Sequence, residues 1–515
     1  MGRIARVAVG LGLIGALALG APHPAGAQAK QLTISQPADA ITMDPGKSTL
    51  TLNVSYFYNL FDTLTHWDAS LKLQPALALS WKPVSDVAWE FALRPGVTFH
   101  DGSPFTAEDV KATLDRLLVP GKTVVHSGFA TISAVEVVNS HTVRIVTKLP
   151  DPLLVSRLAQ MGAQILPARL VRSDEGLAEL ARKPVGTGAY RFVEWTKDDK
   201  LVMEAYRPWW GWKGKAPQID RVVWKPIPDE FARMSALQKG EVDLVTNVPP
   251  DQIKETRERR NTQIVSVPGT RTVAFWMNTT QAPLSDKRVR QALHYAMDLD
   301  AIVKNLFAGY GKPFSGGLAD TDFGFNPALK PYPYAVAKAK RLLAEAGFAG
   351  GIDITLYAGN GTMVNDKQLL EVLTDMWSQA GIRAKVQMLE MSQRQKMNNE
   401  RSLPPNSALL ITPQSTLLDA DGSNWRMFHP DGFGGKYWVG NQPGQRFHDL
   451  MEQARVSLDP KKRKALYTET TKILHEEKPW LELFQEEVVY GASKRVTLKP
   501  RPDYRLIVAE MALRP

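Results

Sequence analysis

The chain has 515 residues, 44% hydrophobic and 23% charged, which is typical of a globular protein of two or three domains and excludes disordered and fibrous classes. It has no cysteine, which excludes disulfides, thiolate catalysis, zinc–sulfur sites and a lipid-modified N-terminal cysteine. The net charge of +10 is spread thinly, and clusters such as Lys461 to Lys464 occupy polar faces of predicted helices, so we expect solvated surface and no nucleic-acid partner.

Residues 1–27 are predicted to be a signal peptide. Arg3 and Arg6 form a basic start, Val7 to Ala21 form an apolar run, and Ala25-Gly26-Ala27 supplies the small residues that a signal peptidase reads. The run is too short to span a membrane comfortably. We therefore expect cleavage at the end of this segment and a secreted, periplasmic protein that is not a lipoprotein.

Residues 53–68 form an aromatic stretch that is compatible with a helix. We expect Phe57, Leu60 and Leu64 to pack in a core. Tyr58 is a candidate for lining a ligand cleft, because its ring has an apolar body and a polar tip. Core packing is the alternative for Tyr58 as well.

Residues 87–118 predict a strand, a double turn and a capped helix. Apolar residues alternate from Val87 to Leu93, and turn-forming residues follow as far as Pro104. Thr106 then begins a helix with Asp109 as its capping-box partner, and Val110, Leu114, Leu117 and Leu118 supply a buried stripe. The adjacent His100 and Asp101 are interpreted as part of the turn and not as a catalytic dyad.

Two strand–helix–strand units are predicted far apart in the chain. The first runs from Arg221 to Thr246, with its helix ended by Gly240, and the second runs from Ile352 to Met388. Two such units indicate two α/β lobes, with a border near Pro268-Gly269 and a strand predicted after it from Arg271 to Asn278.

The best candidate for cleft residues is the segment Thr412–Trp438. Its glycines and aspartates predict an irregular loop, and aromatic residues add contact surface. The residues that we assign to ligand binding here are Asp419, Asp421, Trp425 and Tyr437. The alternative, to which we give equal weight, is a surface loop of ordinary turn residues with no role in ligand binding.

Motifs for catalysis, metals and cofactors are not found in this sequence. His475-Glu476-Glu477 lacks the second histidine of a zinc-protease helix. Asp419-Ala420-Asp421-Gly422 resembles the start of a calcium loop, but Pro430 stands where the loop needs a glutamate. We therefore expect no catalytic residues, no metal and no cofactor.

The segment Trp89 to Val110 resembles the signature of the family 5 extracellular solute-binding proteins, the dipeptide, oligopeptide and nickel receptors of ABC importers. Nearly every fixed position of the family pattern W-x-F-x-L-R-x-G-V-x-F-H-D-G-x-P-x-T-A-x-D-V is present. Three further segments resemble the family: PVGTGAY from Pro184, ALQKGEVDL from Ala236, and PLSDKRVRQA from Pro283. The resemblance therefore covers essentially the whole mature chain.

This resemblance implies an α/β, two-lobed periplasmic-binding-protein fold, with an extra subdomain in the first lobe and a cleft between the lobes. The expected divisions are a signal peptide at 1–27, a first lobe at 28–268 with a subdomain at roughly 46–180, a second lobe at 269–482, and a return to the first lobe at 483–515. The implied role is capture of a solute and delivery to a permease.

The resemblance also implies positions for ligand anchors. In dipeptide and oligopeptide receptors an aspartate binds the ligand's ammonium group, and in our register Thr416 occupies that position, with Pro413 where the family has tryptophan. The arginine that binds the carboxylate in dipeptide receptors falls near Asn360. Neither charged anchor is retained, so a zwitterionic dipeptide is not the expected ligand unless Asp419 or Asp421 takes the role.

Two functions follow from these observations. The first is a monomeric periplasmic binding protein, not an enzyme, which captures a peptide or another small organic ligand by lobe closure and delivers it to an inner-membrane ABC permease. The alternative is a secreted hydrolase of glycans or peptides with a pair of carboxylates in the cleft.

Overall fold

The computed structural model describes residue 2 and residues 30–430, 432, 434–438 and 442–514. The predicted signal segment, apart from Gly2, lies outside the described residues. Within the described part of the chain, no helix is both long enough and apolar enough to cross a membrane.

The strands, in chain order, are β1 (Gln31–Gln36), β2 (Thr65–Trp67), β3 (Leu73–Pro75), β4 (Ala78–Ser85), β5 (Ala88–Leu93), β6 (Ile132–Asn139), β7 (Thr142–Thr147), β8 (Tyr190–Thr196), β9 (Lys200–Ala205), β10 (Arg221–Pro226), β11 (Leu244–Val245), β12 (Thr262–Met277), β13 (Gly311–Pro313), β14 (Ile352–Gly359), β15 (Ile382–Leu389), β16 (Ser407–Ile411), β17 (Trp480–Ser493), β18 (Val496–Thr497) and β19 (Ala512–Leu513).

The α-helices, in the same order, are α1 (Thr51–Leu60), α2 (Ala107–Leu118), α3 (Leu154–Arg157), α4 (Ala168–Val171), α5 (Asp174–Leu180), α6 (Glu230–Lys239), α7 (Ile253–Glu258), α8 (Lys287–Tyr295), α9 (Leu299–Leu306), α10 (Val336–Glu345), α11 (Asp366–Ser378), α12 (Met391–Glu400), α13 (Arg426–Phe428), α14 (Gln442–Arg455) and α15 (Pro460–Glu477). A π-helical turn, Asp421–Trp425, directly precedes α13.

One large mixed sheet runs through the molecule. Its described strands lie in the order β15-β14-β16-β12-β17-β11-β1-β10-β9-β8, and β13 pairs with β17. Strand β1 is parallel to both β10 and β11, and β14 is parallel to both β15 and β16. The long strands β12 and β17 are antiparallel to each other and connect these two parallel parts.

Both predicted strand–helix–strand units are present. In the first, the Asp229 side chain caps α6 by accepting from the Ala232 amide, and Gly240 ends the helix with a φ of 77° that favours glycine. In the second, β14 and β15 pair in parallel along their full length, and α11 packs against them in a shared core. Strand β15 then leads through α12 to β16 on the other side of β14.

The signature segment forms the predicted strand and capped helix. Strand β5 lies in a separate sheet of order β4-β5-β7-β6, and the Thr106–Asp109 capping box of α2 is formed in both directions. Phe91, Val110 and Leu114 are fully buried in one core. The segment is therefore scaffold, as predicted.

The buried cores separate into two groups. Three cores draw on residues 32–253 and 488–511, and we call this group the first lobe. Two cores draw on residues 273–484, and we call this group the second lobe. The predicted domain borders themselves stay predictions.

Both predicted borders fall inside continuous strands. The sequence indicated a strand beginning at Arg271, but β12 begins at Thr262 and passes through Pro268-Gly269, with a register shift against β17 between Pro268 and Thr272. Strand β17 likewise begins at Trp480, before the predicted border at 482. A proline and a glycine are tolerated here because the ladder is already irregular at this point.

A buried polar cluster fixes the start of β17 in the second lobe. Lys478 and Glu482 are almost fully buried, and Lys478 Nζ lies 2.5 Å from Glu482 Oε2 and 2.8 Å from Ser315 Oγ. The other carboxylate oxygen of Glu482 accepts from the Gly317 amide at 2.8 Å. The charges are tolerated away from water because they compensate each other and their hydrogen bonds are satisfied.

We expect Lys478→Met to lower the free energy of unfolding by about 3–5 kcal/mol, because it leaves the buried Glu482 charge without its partner. Urea denaturation followed by tryptophan fluorescence measures this, and Lys478→Met combined with Glu482→Gln should recover most of the loss. Lys472→Met is the matched control, since Lys472 forms an exposed pair with Glu469 on the same helix. Equal losses in the two single variants would contradict the expectation.

Candidate functional site

The two lobes touch through the segment that follows β16. Asp421 Oδ2 accepts from Arg157 Nη2 at 3.0 Å, and the Thr416 hydroxyl donates to Gln160 Oε1 at 3.4 Å. Slightly earlier in the segment, Gln414 Nε2 donates to the Asp503 carbonyl at 3.3 Å. We call these three hydrogen bonds the interlobe contact.

The ion pair between Arg157 and Asp421 is the best-buried part of the interlobe contact, with side chains only 7% and 5% exposed. Arg157 also binds Asp151 at 2.8 Å within the first lobe, and Asp421 also binds Arg455 at 2.7 Å within the second. Positive and negative groups therefore alternate across the boundary. Each charge at the boundary has partners on its own lobe and on the opposite lobe.

Tyr58 lies directly behind the interlobe contact. Its hydroxyl donates to the Ala159 carbonyl at 2.7 Å, and the Arg505 guanidinium lies 3.8 Å from the centroid of its ring. Burial raises the pKa of Tyr58 to about 12, so the hydroxyl stays a donor. Among the predicted site residues, Tyr58, Thr416 and Asp421 are thus brought together around residues 157–160.

Asp419 is occupied within its own lobe. Its carboxylate lies 2.7 Å from Arg463 Nη2, and both side chains are almost fully buried. Arg463 also contacts the Tyr467 hydroxyl at 3.2 Å. A carboxylate already neutralised in this way is a poor anchor for a ligand ammonium group, so we leave Asp419 out of the candidate site.

Trp425 and Tyr437 also have partners inside the second lobe. The Trp425 indole donates to Glu452 at 2.6 Å, its ring stacks on His429 at 4.6 Å, and Arg455 lies 3.9 Å from its centroid. Tyr437 is 5% exposed and its hydroxyl accepts from the Leu403 amide. Both residues are therefore integral to the packing of the loop, and their role in ligand binding stays a prediction.

Asn360 lies apart from this group. It directly follows β14, is exposed, and its amide donates to Glu390 Oε1 at 3.4 Å. Parallel pairing places the carboxyl ends of β14, β15 and β16 at one edge of the sheet, so Asn360 shares that edge with the segment that begins after Ile411.

A second cluster of charges lies where the C-terminal segment meets β12 and β17. Arg271 lies 3.4 Å from Glu486 and 4.3 Å from the centroid of the Tyr504 ring. Asp503 is paired with Arg501 at 2.7 Å. Burial opposes ionisation of Asp503, but the neighbouring arginines outweigh it and hold the pKa below its usual range.

The carboxylates at the interlobe contact and in this second cluster give no support to the hydrolase alternative. A glycosidase needs one carboxyl group with a raised pKa to act as an acid beside a second carboxylate. Asp421, Asp503 and Glu486 are each paired with arginine instead. Within the described residues, no cluster of three or more histidine, aspartate and glutamate side chains could hold a metal ion.

No local pattern of the sequence identifies several of these residues. Arg157 and Asp421 are 264 positions apart, and no periodic pattern connects them. Arg463 belongs to the basic run at 461–464 that was predicted to be solvated, and this prediction is wrong for Arg463, which points inward to Asp419. Its position four residues before Tyr467 on one helix face is the signal that could have identified it.

Asp322 is a buried carboxyl group beneath the same segment. It is 6% exposed, and Ser423 Oγ donates to it at 3.1 Å. Burial, with a further contribution from the charge of Asp419, raises the pKa of Asp322 to about 7. The group therefore holds its proton more tightly in the folded protein than in the unfolded chain.

We expect the free energy of unfolding to fall as pH rises, because Asp322 has a higher pKa in the folded protein than in the unfolded chain. Between about pH 4 and pH 7 the unfolded Asp322 is ionised while the folded group is protonated, so stability falls through this window and levels off above it. Asp322→Asn should flatten this dependence, measured as urea-denaturation midpoints across the window. Asp375→Asn, at an exposed position, is the control, and parallel curves for wild type and Asp322→Asn would contradict the assignment.

Comparison with known proteins places this chain among binding proteins. The family model described as "Bacterial extracellular solute-binding proteins, family 5 Middle" matches residues 72–434. The chain is 28% identical over 482 residues to the glutathione-binding protein GsiB of Shigella dysenteriae serotype 1, covering 91% of both chains. It is 29% identical over 478 residues to GsiB of Pectobacterium atrosepticum, again with 91% of both covered.

Solved structures share the fold. The periplasmic binding protein DppA from Helicobacter pylori, in complex with the peptide STSA, superposes with a TM-score of 0.81 at 24% identity, over 94% of this chain and 98% of that one. A dipeptide-binding protein from Pseudoalteromonas sp. SM9913, in complex with Met-Leu, gives 0.81 at 21% identity, over 94% and 100%. The predicted two-lobed α/β fold is confirmed.

Proposed function

Because the chain belongs to the family 5 bacterial extracellular solute-binding proteins, we propose that it captures a peptide-sized organic solute between its lobes. Members of this family serve ABC importers, and the homologues are solute-binding proteins and not enzymes. The prediction that the chain is not an enzyme is thereby confirmed. The finer proposal concerns which solute is bound and how it is held.

The interlobe contact is the observation that carries this proposal. Closure of two lobes retains a ligand when contacts between the lobes form only in the closed state. The ion pair of Arg157 with Asp421 is of this kind, since its partners lie on opposite lobes and are buried together. Closure through this ion pair would hold the solute beside Tyr58, Gln160 and Thr416.

The chemistry near the interlobe contact favours a ligand other than a zwitterionic dipeptide. Thr416 is neutral where dipeptide receptors have their anionic anchor, and the nearest carboxylates, Asp419 and Asp421, are already paired with arginines. Gln160 and Gln414 add neutral hydrogen-bonding groups. The neutral side chains at the interlobe contact can hydrogen-bond the peptide groups of a short peptide, and glutathione is the first candidate because two relatives carry it in their names.

The proposal includes the place and partner of the protein. A signal peptide at residues 1–27 would deliver it to the periplasm, where it would act as a monomer and present its solute to an inner-membrane ABC permease. The family's role in import supports this assignment.

We expect the purified mature protein to be stabilised by one class of compound in a thermal-shift panel of glutathione, short peptides, opines, oligosaccharides and metal chelates. A ligand at about 100 times its dissociation constant should add about 2.7 kcal/mol to the stability of the folded state. Native mass spectrometry of protein purified without refolding would identify a retained ligand. No shift with any compound and no retained ligand would contradict the proposal.

We expect Arg157→Met to weaken closure, because truncating one partner of a buried charge pair at an interface costs about 2–5 kcal/mol. Small-angle scattering should show a larger radius of gyration, and the affinity for glutathione should fall by at least about tenfold. Arg172→Met is the matched control, since Arg172 pairs with Glu108 at an exposed position in the first lobe. A variant as compact and as tightly binding as the wild type would remove Arg157 from the mechanism.

A further inference from the structure

The strands β12 and β17, which connect the lobes, lose their register at one place. The shift lies between Pro268 and Thr272, so that residues 269–271 of β12 lie opposite Glu486 of β17 alone. Extra residues on one strand of an antiparallel pair interrupt the ladder and let the strand bend. We call residues 269–271 together with Glu486 the hinge bulge.

Tyr504, from the C-terminal segment, lies on the hinge bulge. Its hydroxyl donates to Glu486 Oε2 at 3.1 Å, and the Arg271 guanidinium lies 4.3 Å from the centroid of its ring. A Cβ atom at Gly269 would lie 2.7 Å from the same hydroxyl oxygen, so only glycine leaves room for it there. Tyr504 therefore contacts both strands at the point where their ladder is interrupted.

The segment that carries Tyr504 is fixed to the first lobe. Arg501 Nη2 donates to the Trp67 carbonyl at 2.7 Å, and the Leu506 amide donates to Ser55 Oγ at 3.0 Å. Between these two attachments Tyr504 has a φ of 62°, in the left-handed region that residues other than glycine rarely adopt. Such a conformation persists only where the surrounding structure holds it.

Arg271, on the other side of the contact, is fixed to the second lobe. It pairs with Gln414 in an isolated antiparallel bridge, and the amide of the next residue, Thr272, donates to the Pro413 carbonyl at 3.0 Å. Both partners follow β16, whose residues are buried in the cores of the second lobe. The contact between Tyr504 and Arg271 therefore joins the two lobes at the hinge bulge itself.

We propose that Tyr504 is a positioning residue for lobe closure, which fixes the angle between the lobes through its contacts with Gly269, Arg271 and Glu486. This inference rests on the proposed function, because closure is the step by which the solute would be held. Bending at the hinge bulge moves Arg271 relative to Tyr504, so the cation–π contact and the hydroxyl bond are made over a narrow range of angles. A contact present at one angle and absent at others shifts the population toward that angle.

Packing within the first lobe is the alternative role for Tyr504. Leu506 and Val508 of the same segment are fully buried in the first-lobe core, whereas Tyr504 is only partly buried against it. Its hydroxyl and the face of its ring contact the hinge bulge instead. The two roles differ in what they predict: packing affects the stability of the fold, and positioning affects the angle between the lobes.

The angle can be measured in the ligand-free protein with a pair of spin labels. The chain has no cysteine, so Lys148→Cys and Arg446→Cys would place one label on each lobe at exposed positions. Lys148 shortly precedes Asp151, and Arg446 lies on the same helix as Arg455, so each label is close to one side of the interlobe contact. Double electron–electron resonance then gives the distribution of distances between them.

We expect Tyr504→Leu to broaden this distribution and to add a population at longer distances, and Tyr504→Phe, which keeps the ring, to have a smaller effect. Gly269→Ala should act like Tyr504→Leu, because its methyl group displaces the hydroxyl, and it should have little further effect in the Tyr504→Leu background. Tyr334→Leu is the matched control, since Tyr334 is an exposed tyrosine of the second lobe that bonds only Gln379 among the described residues.

We also expect Tyr504→Leu to lower the affinity for glutathione about 2- to 30-fold, which is the range for loss of a cation–π contact. The reason is that the interlobe contact is present at the angle that Tyr504 holds. Isothermal titration calorimetry would measure the affinity, and urea denaturation would measure the stability of the same variants.

An unchanged distance distribution in Tyr504→Leu, with a lower urea midpoint as the only effect, would assign Tyr504 to packing and overturn the inference. Equal and additive effects of Gly269→Ala and Tyr504→Leu would also overturn it, because the two changes would then act independently. If Tyr504→Leu fails to fold, Gly269→Ala and Tyr504→Phe provide the same test. Altered distances together with no binding of any compound in the thermal-shift panel would contradict solute capture and uphold the role of Tyr504 in setting the angle.

Discussion

The antiparallel pairing of β12 with β17 is the constraint on which the rest of the structure depends. These two strands lie side by side from Thr262 to Trp276 and carry the sheet from the parallel strands of one lobe to those of the other. Backbone hydrogen bonds join β12 and β17 along almost their whole length, so the lobes are connected by a continuous part of the sheet and not by a flexible linker. The register shift between Pro268 and Thr272 interrupts the ladder at one point, which is where bending costs the fewest hydrogen bonds.

Buried arginines set the electrostatic character of the boundary between the lobes. Arg157 contacts two aspartates, one on each lobe, so the charge is compensated fully only when the lobes meet. The paired groups near Asp503 and Arg501 are compensated within the first lobe and do not depend on closure. The two cases separate what holds the lobes together from what holds one lobe together.

Local features of the fold were predictable from the sequence, because they depend on neighbouring residues. The Thr106 capping box and the Gly240 helix end follow from spacing and backbone preference alone. The long strand β12 was recognised only from Arg271 onward, since Pro268 and Gly269 are typical of loops and only the tertiary pairing overrides them. The candidate site was predictable in part: Tyr58, Thr416 and Asp421 were named, but Arg157 and Gln160 act through partners distant in sequence, which no local pattern records.

The residues that make up each hydrophobic core determine the order in which the cores can form during synthesis. The buried residues of the second lobe's cores all lie within 273–484, so these cores can form as soon as residue 484 has been synthesised. The first lobe has Leu32 and Ile34 in the same core as Tyr490 and Val508, so its earliest strand waits for contacts made more than four hundred residues later. A chain with this topology leaves this one core of the first lobe incomplete until its C-terminal strands have been made. The family is described as extracellular, and a core that cannot close before the last strands are made suits the export of unfolded chains.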